Sequence, residues 1–247
     1  MTDHFLEQLR AGTEALQLSL QKEQEEQLFS YYQMVIETNK VMNLTAITEE
    51  VDFVQKHIID SLAIVRGGES VCRLLAAKGT RLIDVGTGAG LPGMVLKICW
   101  PGLRVTLFDS LKKRLRFLDE VIEKLGLSSV ETLHGRAEDV GQDPRYRGQY
   151  DLTVSRAVAN LSTLSEYCLP FVKTGGLFLS YKAGNLAEEL AEAGNAVRIL
   201  GGRLLAEEAY QLPESDIKRE LLLIRKEKET PGKYPRKAGI PAREPLH

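Results

Sequence analysis

The stretch "RLIDVGTGAGLPG", Arg81 to Gly93, decides the fold. Leu82, Ile83 and Val85 favour a strand, and Asp84 sits among them. Gly86, Gly88 and Gly90 then follow on alternate positions ahead of Leu91, Pro92 and Gly93. A strand that runs straight into glycines, and then into a proline suited to a first helical turn, predicts the opening of a βα unit. The rhythm continues downstream, where "RVTLFD", "VETLHG", "YDLTVSR" and "GLFLSYK" read as strands. Between them "PGMVLKIC", "KKRLRFLDEVIEKL" and "LSTLSEYCLPFV" read as helices, as does "GNLAEELAEAGNAVRIL" after the last. Such alternation predicts an α/β fold with a mostly parallel sheet. "GRLLAEEAYQLP" and "IKRELLLIRKE" follow with no helix between them, so an antiparallel pair is expected at the C-terminal end.

Upstream of Thr80 the apolar period lengthens. Leu28, Tyr31, Tyr32, Val35 and Ile36, and again Val51, Val54, Ile58, Leu62 and Val65, fall at three-and-four spacing and predict amphipathic helices with one side to bury. The intervening "NKVMNLTAIT" reads as a structured loop. The expected organisation is an N-terminal helical extension over 1–79, an α/β domain over 80–228 and a basic tail over 229–247. "KETPGKYPRKAGIPAREPLH" in that tail reads as disordered.

Composition narrows the class. With 43% hydrophobic and 27% charged residues the chain resembles an ordinary globular protein. Cys72, Cys99 and Cys168 are odd in number and far apart, which predicts buried thiols and neither a disulfide framework nor a metal knuckle. The first residues lack a basic and then apolar leader, and no run is long enough to cross a bilayer, so neither export nor a membrane is expected. The formal net charge is −2, yet Arg225 to His247 holds seven Lys or Arg against three Glu, a local +4 on an acidic body.

In an open α/β sheet ligands bind beyond the carboxyl ends of the strands, which is where Gly86, Gly88 and Gly90 fall. Lacking Cβ atoms, they allow a tight turn and close approach of main chain to a ligand, and the helix that follows offers N–H donors. The bland reading is a βα connection that binds nothing. "GAGLPG", from Gly88, also satisfies the dinucleotide pattern, a weak signal alone. Asp109, closing the second strand, can accept both hydroxyls of an unphosphorylated ribose, or can cap the helix that follows. Both a nicotinamide dinucleotide and S-adenosylmethionine therefore stay open here. Ala137 and Glu138, past the third strand, read as contacts to an adenine edge or as a solvated turn. Arg156, ending the fourth strand beside Ser155, reads as a crevice cation for a carboxylate or phosphate, or as a surface ion pair. Lys182 ends the fifth strand and faces an RNA phosphate or caps a carbonyl. His57 reads as a local helix partner of Asp60, and His4 and His134 as bystanders.

"LIDVGTGAGLPG", "VTLFDSLKKRLRFL", "GRAED", "VSRAVA" and "NLT", together with "KYPRKAGIPAREPL", resemble the bacterial small-subunit ribosomal RNA methyltransferase G family, also called glucose-inhibited division protein B. The resemblance runs from about Asn43 to Leu246. It implies a Rossmann-like class I S-adenosylmethionine-dependent methyltransferase that modifies N7 of one guanine in 16S rRNA, within the small ribosomal subunit or its precursor. It further implies a cytoplasmic protein, expected to be a monomer without a metal. Carried over by position, the cofactor contacts are Gly86, Leu91, Ala137, Glu138 and Arg156, with Asp109 at the ribose-acid position of the wider class.

Guanine N7 has a lone pair and no proton, so methyl transfer to it needs no general base and no catalytic His or Cys is expected. The residues suggested for RNA are Lys182, Lys112, Lys113, Arg114 and Arg116, with Lys233, Arg236, Lys237 and Arg243 in the tail. The competing readings are an NAD-dependent oxidoreductase and a noncatalytic RNA-binding or assembly factor.

Overall fold

The computed structural model describes residues 1–156, 158–183, 186–213 and 215–247. Its strands are β1 (Arg81–Val85), β2 (Arg104–Asp109), β3 (Val130–His134), β4 (Tyr150–Arg156), β5 (Val172–Lys182), β6 (Gly202–Gln211) and β7 (Lys218–Lys226). They form one sheet in the order β3-β2-β1-β4-β5-β7-β6, parallel from β3 through β5 and antiparallel on both sides of β7. The antiparallel pair was expected; its insertion order follows from burial. Leu221 to Ile224 are consecutive apolar residues, buried on both faces, so β7 lies inside and the largely exposed β6 forms the edge.

Helices α1 (Asp3–Ala15), α2 (Lys22–Asn39), α3 (Glu50–Phe53), α4 (Asp60–Leu62) and α5 (Glu69–Ala76) precede the sheet, with a π-helical turn at Val54–Ile59 joining α3 to α4. The later helices are α6 (Gly93–Cys99), α7 (Lys112–Lys124), α8 (Ala137–Val140), α9 (Leu161–Cys168), α10 (Ala187–Ile199) and α11 (Ile240–Arg243). The helix read from Gly184 begins at Ala187; Gly184 and Asn185 lie outside the described residues. The helix read through Val172 stops at Cys168, ahead of Pro170, and Val172 opens β5.

Alternation along the strands makes two cores. Leu82, Leu107, Leu152 and Leu179 face the N-terminal helices, α6 and α7, while Ile83, Phe108, Phe178 and Leu222 face α9 and α10. Phe5, Leu28, Tyr31, Val35 and Ile58 join the first cluster, so residues 1–79 and the sheet share one core.

Two expectations fail. Cys168 is buried and Cys99 half-buried, but Cys72 is exposed. The segment read as disordered is packed: Tyr234 joins the second core, and the Arg236 guanidinium pairs at 2.7 Å with fully buried Glu166. Composition hides this because the segment's partners, Glu166 among them, lie far back in the chain. Among the described residues no helix is long and apolar enough to cross a membrane, and no cluster of His, Cys, Asp or Glu is arranged to hold a metal.

Candidate active site

The loop after β1 is held from below by two carboxylates. Asp84, fully buried, accepts from Thr87 Oγ1 at 2.7 Å and from the Gly93 N–H at 2.8 Å through Oδ2, while its Oδ1 has no partner among the described residues. Burial pushes its pKa up to about 6, against the pull of these hydrogen bonds. The N–H that the start of α6 was expected to offer a ligand is therefore taken by the protein's own acid. The Gly86 and Thr87 N–H groups donate to Phe108 O at the end of β2, at 2.8 and 3.0 Å, and Tyr31 of α2 donates its hydroxyl to Ala89 O at 2.9 Å.

Gly86, Gly88 and Gly90 have φ values of +76°, +58° and +105°. Their roles differ. At Gly90 a Cβ would lie 2.8 Å from Leu118 Cδ2 and 3.0 Å from Met94 Cβ, so this glycine serves packing on α7. At Gly86 a Cβ would meet Val158 at 2.5 Å. At Gly88 it would find only Gly86 O, 4.0 Å away, leaving bare main chain open to the cavity.

Two cavities meet at Gly86, Arg114 and Arg156. One, of about 790 Å³, is walled by Phe108, Asp109, Ser110, Gly135, Ala137 and Glu138. Asp109 stands beside the loop as expected. Its oxygens already accept the Gly88 N–H (Oδ2, 2.9 Å) and the Leu111 N–H (Oδ1, 2.8 Å), and Arg114 Nη1 lies 3.5 Å away. Each carboxylate oxygen keeps a second lone pair, so Asp109 both ties Gly88 down and can accept a ligand hydroxyl. Glu138 is nearly buried and its Oε1 accepts the Gly239 N–H at 2.9 Å.

The other cavity, of about 670 Å³, is bordered by Thr45, His57, Gly88, Leu91, Asn160 and Lys182. Here the sequence reading needs correction. Arg156 is neither a free crevice cation nor a surface pair: Nη1 binds the 2%-exposed Asp60 at 3.0 Å, and Nη2 lies 3.3 Å from His57 Nδ1. His57 Nδ1 also lies 3.1 Å from Lys56 O, and Nε2 lies 2.7 Å from Thr45 Oγ1, so both ring nitrogens are engaged. Burial and the Arg156 charge lower the His57 pKa to about 3, which keeps the ring neutral. His57 and Asp60 thus share Arg156 instead of pairing with each other. Ser155 does not enter the crevice; it is buried and donates to Val85 O at 2.7 Å. Lys182 does cap a carbonyl, Ala159 O at 2.8 Å, and pairs with Glu189 at 2.5 Å.

Tyr31, Thr45, Asp60, Tyr210 and Arg219 were missed from the sequence as parts of this site. Tyr210 OH and Arg219 Nε reach Asp60 Oδ1 at 2.9 and 3.5 Å. The available signal was an acid set in the apolar run "IIDSLAIV", since a carboxylate buried there needs partners.

The strand order, the glycine bend closed by Asp109 and the second acid beyond β3 around one cavity define a class I S-adenosylmethionine-dependent methyltransferase. Residues 24–218 match the family described as rRNA small subunit methyltransferase G, and the chain belongs to that family. Ribosomal RNA small subunit methyltransferase G of Alkaliphilus oremlandii (strain OhILAs) is 48% identical over 238 residues, covering 96% of this chain and 97% of that one. The protein of the same name from Lactobacillus acidophilus (strain ATCC 700396 / NCK56 / N2 / NCFM) is 49% identical over 229 residues, 92% of this chain and 93% of that one. Among solved structures, MtNAS in complex with MTA and tNA shares the fold at 16% identity and a TM-score of 0.52, covering 81% of this chain and 70% of that one. A complex of an MtNAS variant with S-adenosylmethionine gives 17% and 0.53, over 82% and 73%. These matches displace the dinucleotide reading of the glycine loop.

Proposed function

We propose that this chain transfers the methyl group of S-adenosylmethionine to N7 of one guanine in the 16S rRNA of the small ribosomal subunit. The observation that carries the reading is the pair of cavities joined at Gly86, one bordered by two acids and one opening past bare main chain at Gly88. The first suits the adenosine end of the cofactor: Asp109 takes ribose hydroxyls, while the Ala137 main chain and the Glu138 carboxylate read the adenine edge. Gly86, Gly88 and Leu91 border the path of the methionine end. Arg156 shares the single Asp60 carboxylate with Arg219, so this group keeps one net positive charge on the cavity wall and can receive the cofactor's carboxylate.

When bound, the cofactor supplies an electrophilic methyl on a sulfonium. The task left to these residues is to hold donor and acceptor in line at near-attack distance and to exclude water. His57 suits that division of labour: a neutral ring engaged at both nitrogens is a wall and not a base, and N7 has no proton to surrender. Gly90 and Asp84 set the loop from beneath.

Lys112, Lys113, Arg116, Lys233, Lys237 and Arg243 are exposed and available for phosphate, whereas Arg236 and Lys182 are committed within the protein and Arg114 leans into the site. So modest a set favours a folded or protein-bound rRNA over naked RNA, met in the cytoplasm by a monomer. Radiolabelled methyl transfer into small subunits, followed by chain cleavage at 7-methylguanine, tests the reading. One labelled 7-methylguanine is expected. Label at another base atom, no label in any subunit form, or equal labelling of a short free hairpin would overturn the corresponding part.

A further inference from the structure

The C-terminal segment does more than cover α9. Its path over the protein is fixed at four places. The Arg147 guanidinium clamps Thr230 O, Tyr234 O and Gly141 O at 2.6 to 2.8 Å. Gln142 Nε2 donates to Pro235 O at 2.9 Å. Arg236 gives its main-chain N–H and its guanidinium to the fully buried Glu166 carboxylate at 2.7 to 3.1 Å. Thr163 Oγ1 donates to Pro241 O at 2.9 Å. Between the last two anchors the chain turns at Gly239, whose φ is +81°, and there its N–H meets Glu138 Oε1 at 2.9 Å.

Glu138 borders the larger cavity from α8, a helix of 4 residues. One turn of helix has almost no stability of its own, so its geometry is set by what it packs against. Here that is α9 and the second core on one side and the tail on the other: a Cβ on Gly141, the residue after α8, would lie 2.9 Å from Pro235 Cγ. The Gly239 N–H holds Oε1, which restrains the Glu138 carboxylate at one oxygen, and Tyr167 borders the same cavity beside it. A carboxylate held in advance spares the ligand the cost of ordering it.

We propose that the C-terminal segment is a strap that positions Glu138 for the cofactor, with Gly239 as the positioning contact and the Arg236–Glu166 pair as its anchor. The proposal rests on the reading of that cavity as the adenosine site. Linkage makes it reciprocal: a cofactor that binds the positioned carboxylate tightens the strap by the same factor.

The test uses the full chain. Arg236→Ala combined with Glu166→Gln frees the anchor without leaving a buried carboxylate unpaired. Gly239→Val, where a Cβ meets nothing within 4 Å, disturbs only the backbone that aims the N–H. S-adenosylhomocysteine binding is measured by calorimetry alongside melting temperature, in the wild-type and Glu138→Ala backgrounds. Each strap variant is expected to weaken binding about three- to tenfold with Glu138 present and to add nothing once Glu138 is alanine. Exchange of the Gly239 amide should slow when S-adenosylhomocysteine is bound, and only when Glu138 is present. Unchanged affinity in the strap variants, or an equal loss in both backgrounds, overturns the proposal, since the tail would then act only through general stability. Unchanged affinity in Glu138→Ala alone also overturns it. A wild-type protein that binds no S-adenosylhomocysteine refutes the cofactor reading itself, and the strap with it.

Discussion

At Gly88 two physical effects coincide that substitution can separate. The backbone has φ +58°, and the space above it is empty of protein. Asn tolerates that conformation while a β-branched residue does not. Gly88→Asn should keep its melting temperature within a few degrees of wild type yet lose at least roughly tenfold in S-adenosylhomocysteine affinity, because its side chain stands where the ligand lies. Gly88→Val should lose both, with the backbone alone costing about 1–2 kcal/mol. Calorimetry and thermal melts on the two proteins check this, and undiminished affinity in the Asn variant would remove the loop from the site. Acid brings out two other residues, with opposite signs. Asp84 has its pKa raised by burial from 3.8 to about 6, so its contribution to stability is present at low pH and is lost as pH rises through about 6. His57 is lowered by burial and Arg156 from 6.5 to about 3, so its contribution is present above 6.5 and is lost as pH falls towards 3. Between about pH 4 and 6, Asp84→Asn should make melting temperature climb more steeply with pH and His57→Gln should flatten the climb. Thermal melts across that window decide it. The glycines and Asp109 were legible in the sequence because a strand-turn-helix junction is local. The place of Arg156 at a strand's carboxyl end was legible, but its partner was not, because Asp60 lies 96 residues away and no local pattern announces it.

Among the elements, the segment from α3 to α4 is the one that the site depends on without containing the loop. Asp60 receives Arg156 from β4, Tyr210 from β6 and Arg219 from β7, and Tyr181 of β5 donates to Ser61 O at 2.7 Å. Four strands are thus stitched to one helical turn. Removing the acid alone, as in Asp60→Ala, leaves two guanidinium groups without their carboxylate and should cost about 3–5 kcal/mol in urea unfolding. Tyr210→Phe, which deletes one hydrogen bond, should cost about 1 kcal/mol. Similar losses in the two variants would mean that Asp60 is not the centre of the network. The parallel strands were readable because each is short, apolar and followed by a helix of the right period. The hairpin order became readable only through the four-residue apolar run in β7, which demands two covered faces. The tail misled because proline, glycine and lysine dominate it, and a composition argument gives no weight to a single buried carboxylate on another helix that an arginine can reach.

At the scale of the whole molecule the problem is how an acidic protein meets a polyanion. The net formal charge is −2, and several basic residues nearest the cavities have acidic partners: Arg156 and Arg219 share Asp60, Lys182 pairs with Glu189, and Arg114 lies beside Asp109. Among the exposed basic residues are those at the start of α7, Lys112, Lys113 and Arg116, and on the tail, Lys233, Lys237 and Arg243. The tail's inner side brings the Gly239 N–H to Glu138, while Lys233, Lys237 and Arg243 are exposed. If these exposed residues hold phosphate, removing the charge of any one of them should flatten the log–log dependence of RNA affinity on salt by about 0.7 to 0.9. Lys112→Gln with Lys113→Gln should therefore lower the slope for small-subunit binding by about 1.4 to 1.8, while S-adenosylhomocysteine affinity and melting temperature stay near wild type. Filter binding across a salt series measures it. A slope that does not change would mean that α7 is a solvated face and that the tail, or the particle's own proteins, holds the phosphates instead.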